Sequence, residues 1–554
     1  TEVNPARGEI YDRNGNILAT NVSNYMVIIS PKDIVDAMED DDNAVQAFSW
    51  TDGDGKTLDG LKMNELIAHR LSELPDVDYD TVIEKAAKRN RKYEKITEGL
   101  NEEEADEIRR FISEYGLTDQ IYLRATSVRY YPYSDLCSHV LGFTNRDGVG
   151  IYGLESYYNN LLEGTSGRYI TAQDAHSNDM PFTYESYIEA SNGYNIETTI
   201  DVSMQDAAEK ALLKQLKNIN GDVGVVVLME VATGDVKAIV NMTKCADGEY
   251  REVKNNAVSD LMEPGSTFKT ASIMVALEDG KISKNDFVDT GNGQWEMHGR
   301  VMKDHNWRRG GYGRISVPEV LMYSSNIGVS RLIDDNYKDH PEKFVDGLYR
   351  EGVGIPLNIP LMGSGEPRVR RPKKDGSNWS KTALPWMSIG YETQMPPIAT
   401  LTFYNAIANG GKMVRPRFVK AVRKNGEIVR EFPVEVIKER ICSPKTLNDI
   451  QEILEMVVSK GLGKKAGCKD FKVSGKTGTA QVAQGRGGYH GGRMKYLISF
   501  CGYYPSDRPK YSCIVAIQKS GLPASGGGHS GGGHRPGAHP HRHPHPGGDA
   551  GGDR

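Results

Sequence analysis

Apolar positions recur at two spacings along this chain, every second residue in some stretches and every third or fourth in others, and the switches between them outline its elements. Gly8 to Ala19 places Asn14-Gly15 between two runs of strand formers, a hairpin signal. From about Leu61 to Tyr115, apolar residues stand at helical spacing among Glu, Lys, Arg and Ala, most clearly over Glu102–Tyr115, so this stretch predicts helices. Tyr130-Tyr-Pro-Tyr133, Gly148-Val-Gly150 and Gly164-Thr-Ser-Gly167 then punctuate short segments, as turns between strands do. An extended, mixed α/β first domain is expected, residues 1–200.

The turn at Asn192-Gly193 leads into a strand pattern over Tyr194–Ile200 and a helical pattern over Ser203–Leu216, which marks the start of a second domain, residues 201–523. Apolar strands are predicted over Asp222–Glu230, Asp235–Val240, Leu497–Tyr503 and Tyr511–Gln518, with helices over Thr267–Leu277 and Leu447–Val458. Strands at both ends with helices between them indicate an α+β domain whose sheet is assembled from distant segments. No large aliphatic or aromatic side chain follows Leu522, and residues 524–554 hold 11 Gly and 6 of the 13 His. Such a tail cannot offset its ordering entropy and is expected to be disordered.

Composition narrows the function. The 68 Lys plus Arg against 74 Asp plus Glu leave a net charge of -6 without a long basic stripe, which argues against nucleic acid as a partner. The six cysteines are scattered and none sits in a C-x-x-C pair, so neither a disulfide framework nor structural zinc is indicated. The His-Pro-His-Arg-His-Pro-His stretch of the tail could take up a divalent metal adventitiously; no functional metal and no cofactor are expected. No run reaches the ~18 apolar residues of a spanning helix. Because the chain starts at Thr1 and enters a patterned segment at once, an omitted upstream part, such as a membrane anchor, is expected.

Three short motifs carry candidate chemistry, in order: Ser266-Thr-Phe-Lys269, Ser324-Ser-Asn326 and Lys476-Thr-Gly478. Glu263-Pro264-Gly265 breaks the chain before a helical pattern, so Ser266 should sit at a helix N-terminus, where the dipole favours its alkoxide. Lys269 lies one turn on, on the same face, able to take the serine proton as a neutral amine. Ser266 with Lys269 is the one S-x-x-K match in the chain. Ser324 and Asn326 offer a hydroxyl to relay a proton and an amide to hold a substrate amide, although Ser283-Lys-Asn285 shows how easily S-x-N arises. Lys476-Thr-Gly-Thr479 reads as a sheet strand entering the glycine-rich turn Gly485–Gly492, where the lysine can meet a carboxylate and Gly478 lets substrate approach the backbone. Lys519-Ser-Gly521 is a weaker rival. The charge of Lys476 is expected to help depress the Lys269 pKa.

Glu-Pro-Gly-Ser-Thr-Phe-Lys-Thr (263–270), Tyr-Ser-Ser-Asn (323–326) and Ser-Gly-Lys-Thr-Gly-Thr-Ala (474–480) closely resemble the class B penicillin-binding proteins. So do Arg7-Gly-Glu-Ile-Tyr-Asp-Arg-Asn-Gly15, which looks like the segment following the membrane anchor in that family, and Gly150-Ile-Tyr-Gly-Leu-Glu155 of its pedestal. The resemblance covers residues 1 to about 528. It implies a serine transpeptidase domain of penicillin-binding/β-lactamase-like fold, with a five-stranded antiparallel sheet and helices, behind a pedestal of the class B dimerisation type.

It also implies roles. Ser266 would attack the D-Ala-D-Ala carbonyl of a peptidoglycan stem peptide with Lys269 as base, the Ser266 and Thr479 N–H groups forming the oxyanion hole. Ser324 would relay the proton to the leaving D-Ala, Asn326 would hold the donor amide, and Lys476, Thr477 and Thr479 would receive the terminal carboxylate beside Gly478. The acyl group then passes to a neighbouring amine, cross-linking the cell wall. β-Lactams are implied as inhibitors, and a membrane glycosyltransferase and division proteins as partners, at the extracytoplasmic face of the inner membrane. Alternatives of the same fold are a β-lactamase, for which no water-activating group is identifiable, a β-lactam-sensing receptor, and an elongation or sporulation transpeptidase. The sequence departs from the family after Ser525-Gly-Gly-Gly528, where the Gly/His/Pro tail replaces an apolar segment.

Overall fold

The computed structural model describes residues 2–3, 5–40, 47–171, 185–482 and 494–521. The tail 524–554 and the turn Gly485–Gly492 lie outside the described residues. The chain forms two compact units, one of residues 20–130 and one of residues 1–19 with 131 onward.

In the smaller unit, Thr20–Ile29 and Ile121–Tyr130 form a long antiparallel pair, from Thr20 opposite Tyr130 to Ile29 opposite Ile121. Val27, Ile29, Leu66, Leu71, Ile108 and Phe111 close its own core. The helix Glu102–Tyr115 matches its predicted span: Asn101 and Glu104 cap it reciprocally, and Gly116 ends it at φ +67°. Its buried residues Ala105, Ile108, Phe111 and Ile112 lie on one face. The expectation of helices throughout 61–115 is corrected at Glu94–Leu100, a strand paired with Tyr25–Ile29. A partner some 70 residues upstream in sequence, not its own charged composition, decides its state.

In the larger unit the central sheet is antiparallel, in the order 250–251, 236–244, 223–230, 511–520, 495–504, 474–481. The expected five strands are present, and Tyr250–Arg251 adds a two-residue sixth at one edge. Along Tyr511–Ser520 the side chains alternate between two cores. Cys513, Val515 and Ile517 pack with Ala208, Leu212 and Leu216 of the helix Val202–Ile219, while Ile514 and Ala516 join Ile273, Leu401, Tyr404 and Leu454 on the other face. The sheet is thus covered by helices on both sides, and Ser474–Gln481 forms its far edge.

Ile10, Leu18, Leu154 and Ile196 belong to the same core as Val227 and Ile273, so the core itself does not divide at residue 200. Two motifs 148 residues apart meet there. Arg7 donates to Glu155 Oε1 (3.0 Å), to the Glu155 carbonyl oxygen (2.9 Å) and to Asn159 Oδ1 (2.8 Å), and Tyr131 donates to Glu155 Oε2 (2.7 Å).

Candidate active site

Ser266 sits in the 3₁₀ turn Gly265–Phe268, which runs directly into the α-helix Lys269–Glu278. Gly265 has φ +66°, and a Cβ there would lie 2.5 Å from Ala480 Cβ. Gly390 has φ +99°, and its Cβ would meet the Gly265 carbonyl oxygen at 2.0 Å. Only glycines allow the turn to be pressed between these two neighbours. From below, the buried Tyr404 hydroxyl donates to the Thr267 carbonyl oxygen (2.6 Å) and lies 2.8 Å from the Thr270 hydroxyl.

The structure brings the three motifs into one cleft of about 270 Å³, lined by Ser266, Lys269, Ser324, Asn326, Thr477, Gly478 and Thr479 among others. Lys269 and Lys476 are 1% and 0% exposed, and both converge on one hydroxyl. Lys269 Nζ donates to Ser324 Oγ (3.0 Å) and to the Ser324 carbonyl oxygen (2.9 Å). Lys476 Nζ donates to Ser324 Oγ (2.9 Å) and to the Thr477 carbonyl oxygen (2.7 Å). Ser324 holds this place with φ +52°, a conformation that costs a non-glycine residue about 1–3 kcal/mol. Asn326 opens the helix Asn326–Tyr337 and donates Nδ2 to the Lys303 carbonyl oxygen (3.0 Å), which leaves its Oδ1 for another donor.

Two sequence expectations change in detail. Lys269 is hydrogen-bonded to Ser324 and, among the described residues, not to Ser266. A Cβ on Gly478 would lie 2.9 Å from Ser499 Oγ and 3.3 Å from Thr267 N, so its lack of a side chain serves the fit between the edge strand and the nucleophile turn. The two lysines also repel each other's charged forms. Burial pushes Lys269 down to about 7, with Asp304 pulling it back up, and Lys476 is driven well down by burial and then by the Lys269 charge. Two buried ammonium groups cannot both stay charged around one hydroxyl.

The rivals fall elsewhere. Lys519 Nζ donates to the Ile219 carbonyl oxygen (2.6 Å), and Ser283 N donates to Asp286 Oδ2 (2.8 Å) in an exposed turn. Sequence reasoning missed Asp304, which is buried beside the lysines. It accepts from Ser325 Oγ (2.6 Å) and from Ile327 N (2.9 Å), tying the Ser324–Asn326 loop to the segment before it. Next to it, His305 Nε2–H points at the Tyr323 carbonyl oxygen (3.0 Å), with Tyr312 OH 2.7 Å away. Burial and the nearby cations hold His305 down at about 4, so it is neutral at physiological pH. The segment Asp304-His-Asn-Trp307 carries no motif spacing that would have revealed it; a run of chemically rich residues outside any apolar pattern was the only signal.

Residues 224–533 match the family model of the penicillin binding protein transpeptidase domain, and residues 2–198 that of the penicillin-binding protein dimerisation domain. Stage V sporulation protein D of Bacillus subtilis is 29% identical over 93% of this chain and 74% of its own length. The peptidoglycan D,D-transpeptidase FtsI of Escherichia coli is 26% identical over 93% of this chain and 79% of its own. Among solved structures, penicillin binding protein 2X of Streptococcus thermophilus superposes with a TM-score of 0.73 at 22% identity, covering 95% of this chain and 78% of that one. Penicillin binding protein 3 of Mycobacterium tuberculosis, complexed with ampicillin, gives 0.64 at 21% identity, covering 95% and 93%. The chain belongs to the class B penicillin-binding proteins, the serine-type peptidoglycan D,D-transpeptidases of cell-wall synthesis.

Proposed function

We propose that Ser266 is the acylated nucleophile of this transpeptidase and that Lys269, Ser324 and Lys476 form a proton relay around it. The observation that carries this reading is the single hydroxyl, Ser324 Oγ, shared by two buried lysines at 3.0 and 2.9 Å. A hydroxyl accepts from an ammonium on one side while donating to an amine on the other. The terminal carboxylate of a donor peptide, arriving at Lys476, Thr477 and Thr479, favours the ammonium at Lys476. The proton then moves through Ser324, and Lys269 is left neutral to take the Ser266 proton.

The donor carbonyl sits against the edge strand, where the N–H groups of Ser266 and Thr479 stabilise the tetrahedral oxyanion. Asn326 Oδ1 accepts the donor amide N–H. Ser324 returns the proton to the departing D-Ala, and an amine of a second stem peptide takes the acyl group. β-Lactams enter as donor mimics and stay on Ser266. Residues 1–200 serve as the pedestal of the dimerisation type and 201–523 as the transpeptidase domain. Among the described residues no helix is long and apolar enough to cross a membrane. The place of action is the extracytoplasmic face of the inner membrane, with a membrane glycosyltransferase and other division proteins as partners.

Mass spectrometry of the penicillin-treated protein tests the chemistry. One intact penicilloyl adduct on Ser266, absent from Ser266→Ala and persisting for many minutes, is the expected result. Rapid release as penicilloic acid, or an adduct on another residue, would overturn it. Depletion in cells should give filaments; normal division with defective spores would move the role to sporulation.

A further inference from the structure

Lys303, Trp307 and Arg308 line the cleft together with the residues of the three motifs, and none of them has a part in the reaction described above. Lys303 Nζ lies 4.5 Å from the centre of the Trp307 ring and the Arg308 guanidinium 4.9 Å from it. One indole thus gathers two exposed cations at the rim. Among the described residues neither side chain forms an ion pair, and the cleft lining holds a single carboxylate, Asp304, whose oxygens are occupied by Ser325 and Ile327. In a chain of net charge -6, the rim of the cleft therefore carries Lys303 and Arg308 with no carboxylate of the lining left to pair with them.

Like charges held side by side without a counter-ion repel each other, and the attraction of Trp307 offsets this only in part. The arrangement is relieved by an anion. The donor's terminal carboxylate does not meet that need, since it is received deeper in the cleft at Lys476. We propose that Lys303 and Arg308, mounted on Trp307, form a second anion subsite that recognises a carboxylate on the body of a stem peptide, apart from the C-terminal one of the donor. The inference rests on the acyl-enzyme reading above and adds substrate specificity to it. The carboxylate could come from the donor or from the acceptor strand, and arginine and lysine on an aromatic face suit it in either case.

The test uses the whole chain in two arms. In the donor arm, acylation is followed by thiol release from a D-alanyl thioester peptide carrying either a free side-chain carboxylate or the corresponding carboxamide. In the acceptor arm, aminolysis of the acyl-enzyme is compared between D-alanine and D-alaninamide. The wild type should prefer the carboxylated partner in one arm, by about fivefold for each cation engaged. The preference should shrink at high salt and fall to near unity in Lys303→Gln/Arg308→Gln, with Arg308→Lys retaining part of it. Benzylpenicillin, which lacks the extra carboxylate, should acylate Ser266 of the double variant at close to the wild-type rate. No preference in either arm, or a preference that survives in the double variant, overturns the inference and leaves the acyl-enzyme reading standing. Failure of benzylpenicillin to acylate the wild type overturns that reading, and the subsite with it.

Discussion

At the scale of single residues, the site depends on a lysine being kept uncharged. Burial pushes Lys269 down to about 7, so its neutral fraction, and with it acylation, rises with pH through that value and levels off above it. Below the limb the rate should fall about tenfold per pH unit. The negative charge of Asp304 opposes this by favouring the ammonium form. In Asp304→Asn that opposition is removed, the Lys269 pKa drops, and the acid limb of the acylation rate constant should move to lower pH. The measurement is the pH dependence of acylation by a β-lactam whose own ionisation is constant over the range. A limb that stays in place, or moves up, would mean that Asp304 acts only by holding Ser325 and Ile327. Its own carboxyl is pushed up by burial, against the hydrogen bonds from Ile327 and Ser325, which favour its ionised form.

Among elements, the contact that matters most is that of the nucleophile turn with the edge strand. The turn is fixed by Gly265 against Ala480, by Gly390 behind it and by Tyr404 below. Gly265→Ala would place a side chain at φ +66°, about 1–2 kcal/mol unfavourable, with its Cβ 2.5 Å from Ala480 Cβ. The turn must then move, and because a displacement of about 1 Å costs roughly 10²-fold in such chemistry, acylation should fall by that order while the fold persists. Circular dichroism and acylation kinetics on one sample check this; a variant that acylates at the wild-type rate would show that the turn tolerates the shift. Much of this scale was legible beforehand. Strands at 223–230 and 511–520 and helices at 269–278 and 444–459 follow apolar periodicities strong enough to survive any context. Lys269, Ser324 and Lys476 were identifiable as one set because their spacing and order are written locally. Asp304 and Tyr404 were not, since their importance comes from partners 21 and 137 residues away in sequence, and no local pattern records such distances.

On the scale of the whole molecule, the unit 20–130 leaves and re-enters the chain through adjacent positions, Thr20 lying opposite Tyr130 in an antiparallel pair. A segment with paired ends and its own core can be excised at little cost to what remains. Replacing residues 21–129 by a short Asn-Gly turn should leave benzylpenicillin acylation of Ser266 within a few fold of the intact chain, with any partner binding of that unit lost. Loss of acylation in a folded, monodisperse sample would contradict this. The sequence pattern puts its main boundary near residue 200, at a turn; punctuation marks where a chain bends and says nothing of which core the flanking segments join. Ile10 and Ile196 are each followed by such signals and nevertheless share a core with Ile273.

The order of strands in the central sheet also governs when this protein can first become active during its synthesis. Among the described residues Tyr511–Ser520 alone bridges Val223–Glu230 and Lys495–Tyr504, and Lys476 hangs from the far side of the latter. Until the ribosome has released that stretch, the early strands have no partner on one flank and the lysine has no sheet to stand on. The nascent chain therefore carries Ser266 for some 250 residues of translation without a working site around it. Closure is a late, long-range event, slow in the manner of folds built from distant segments, and in the meantime two apolar strand edges are left for a chaperone or a neighbouring chain to find.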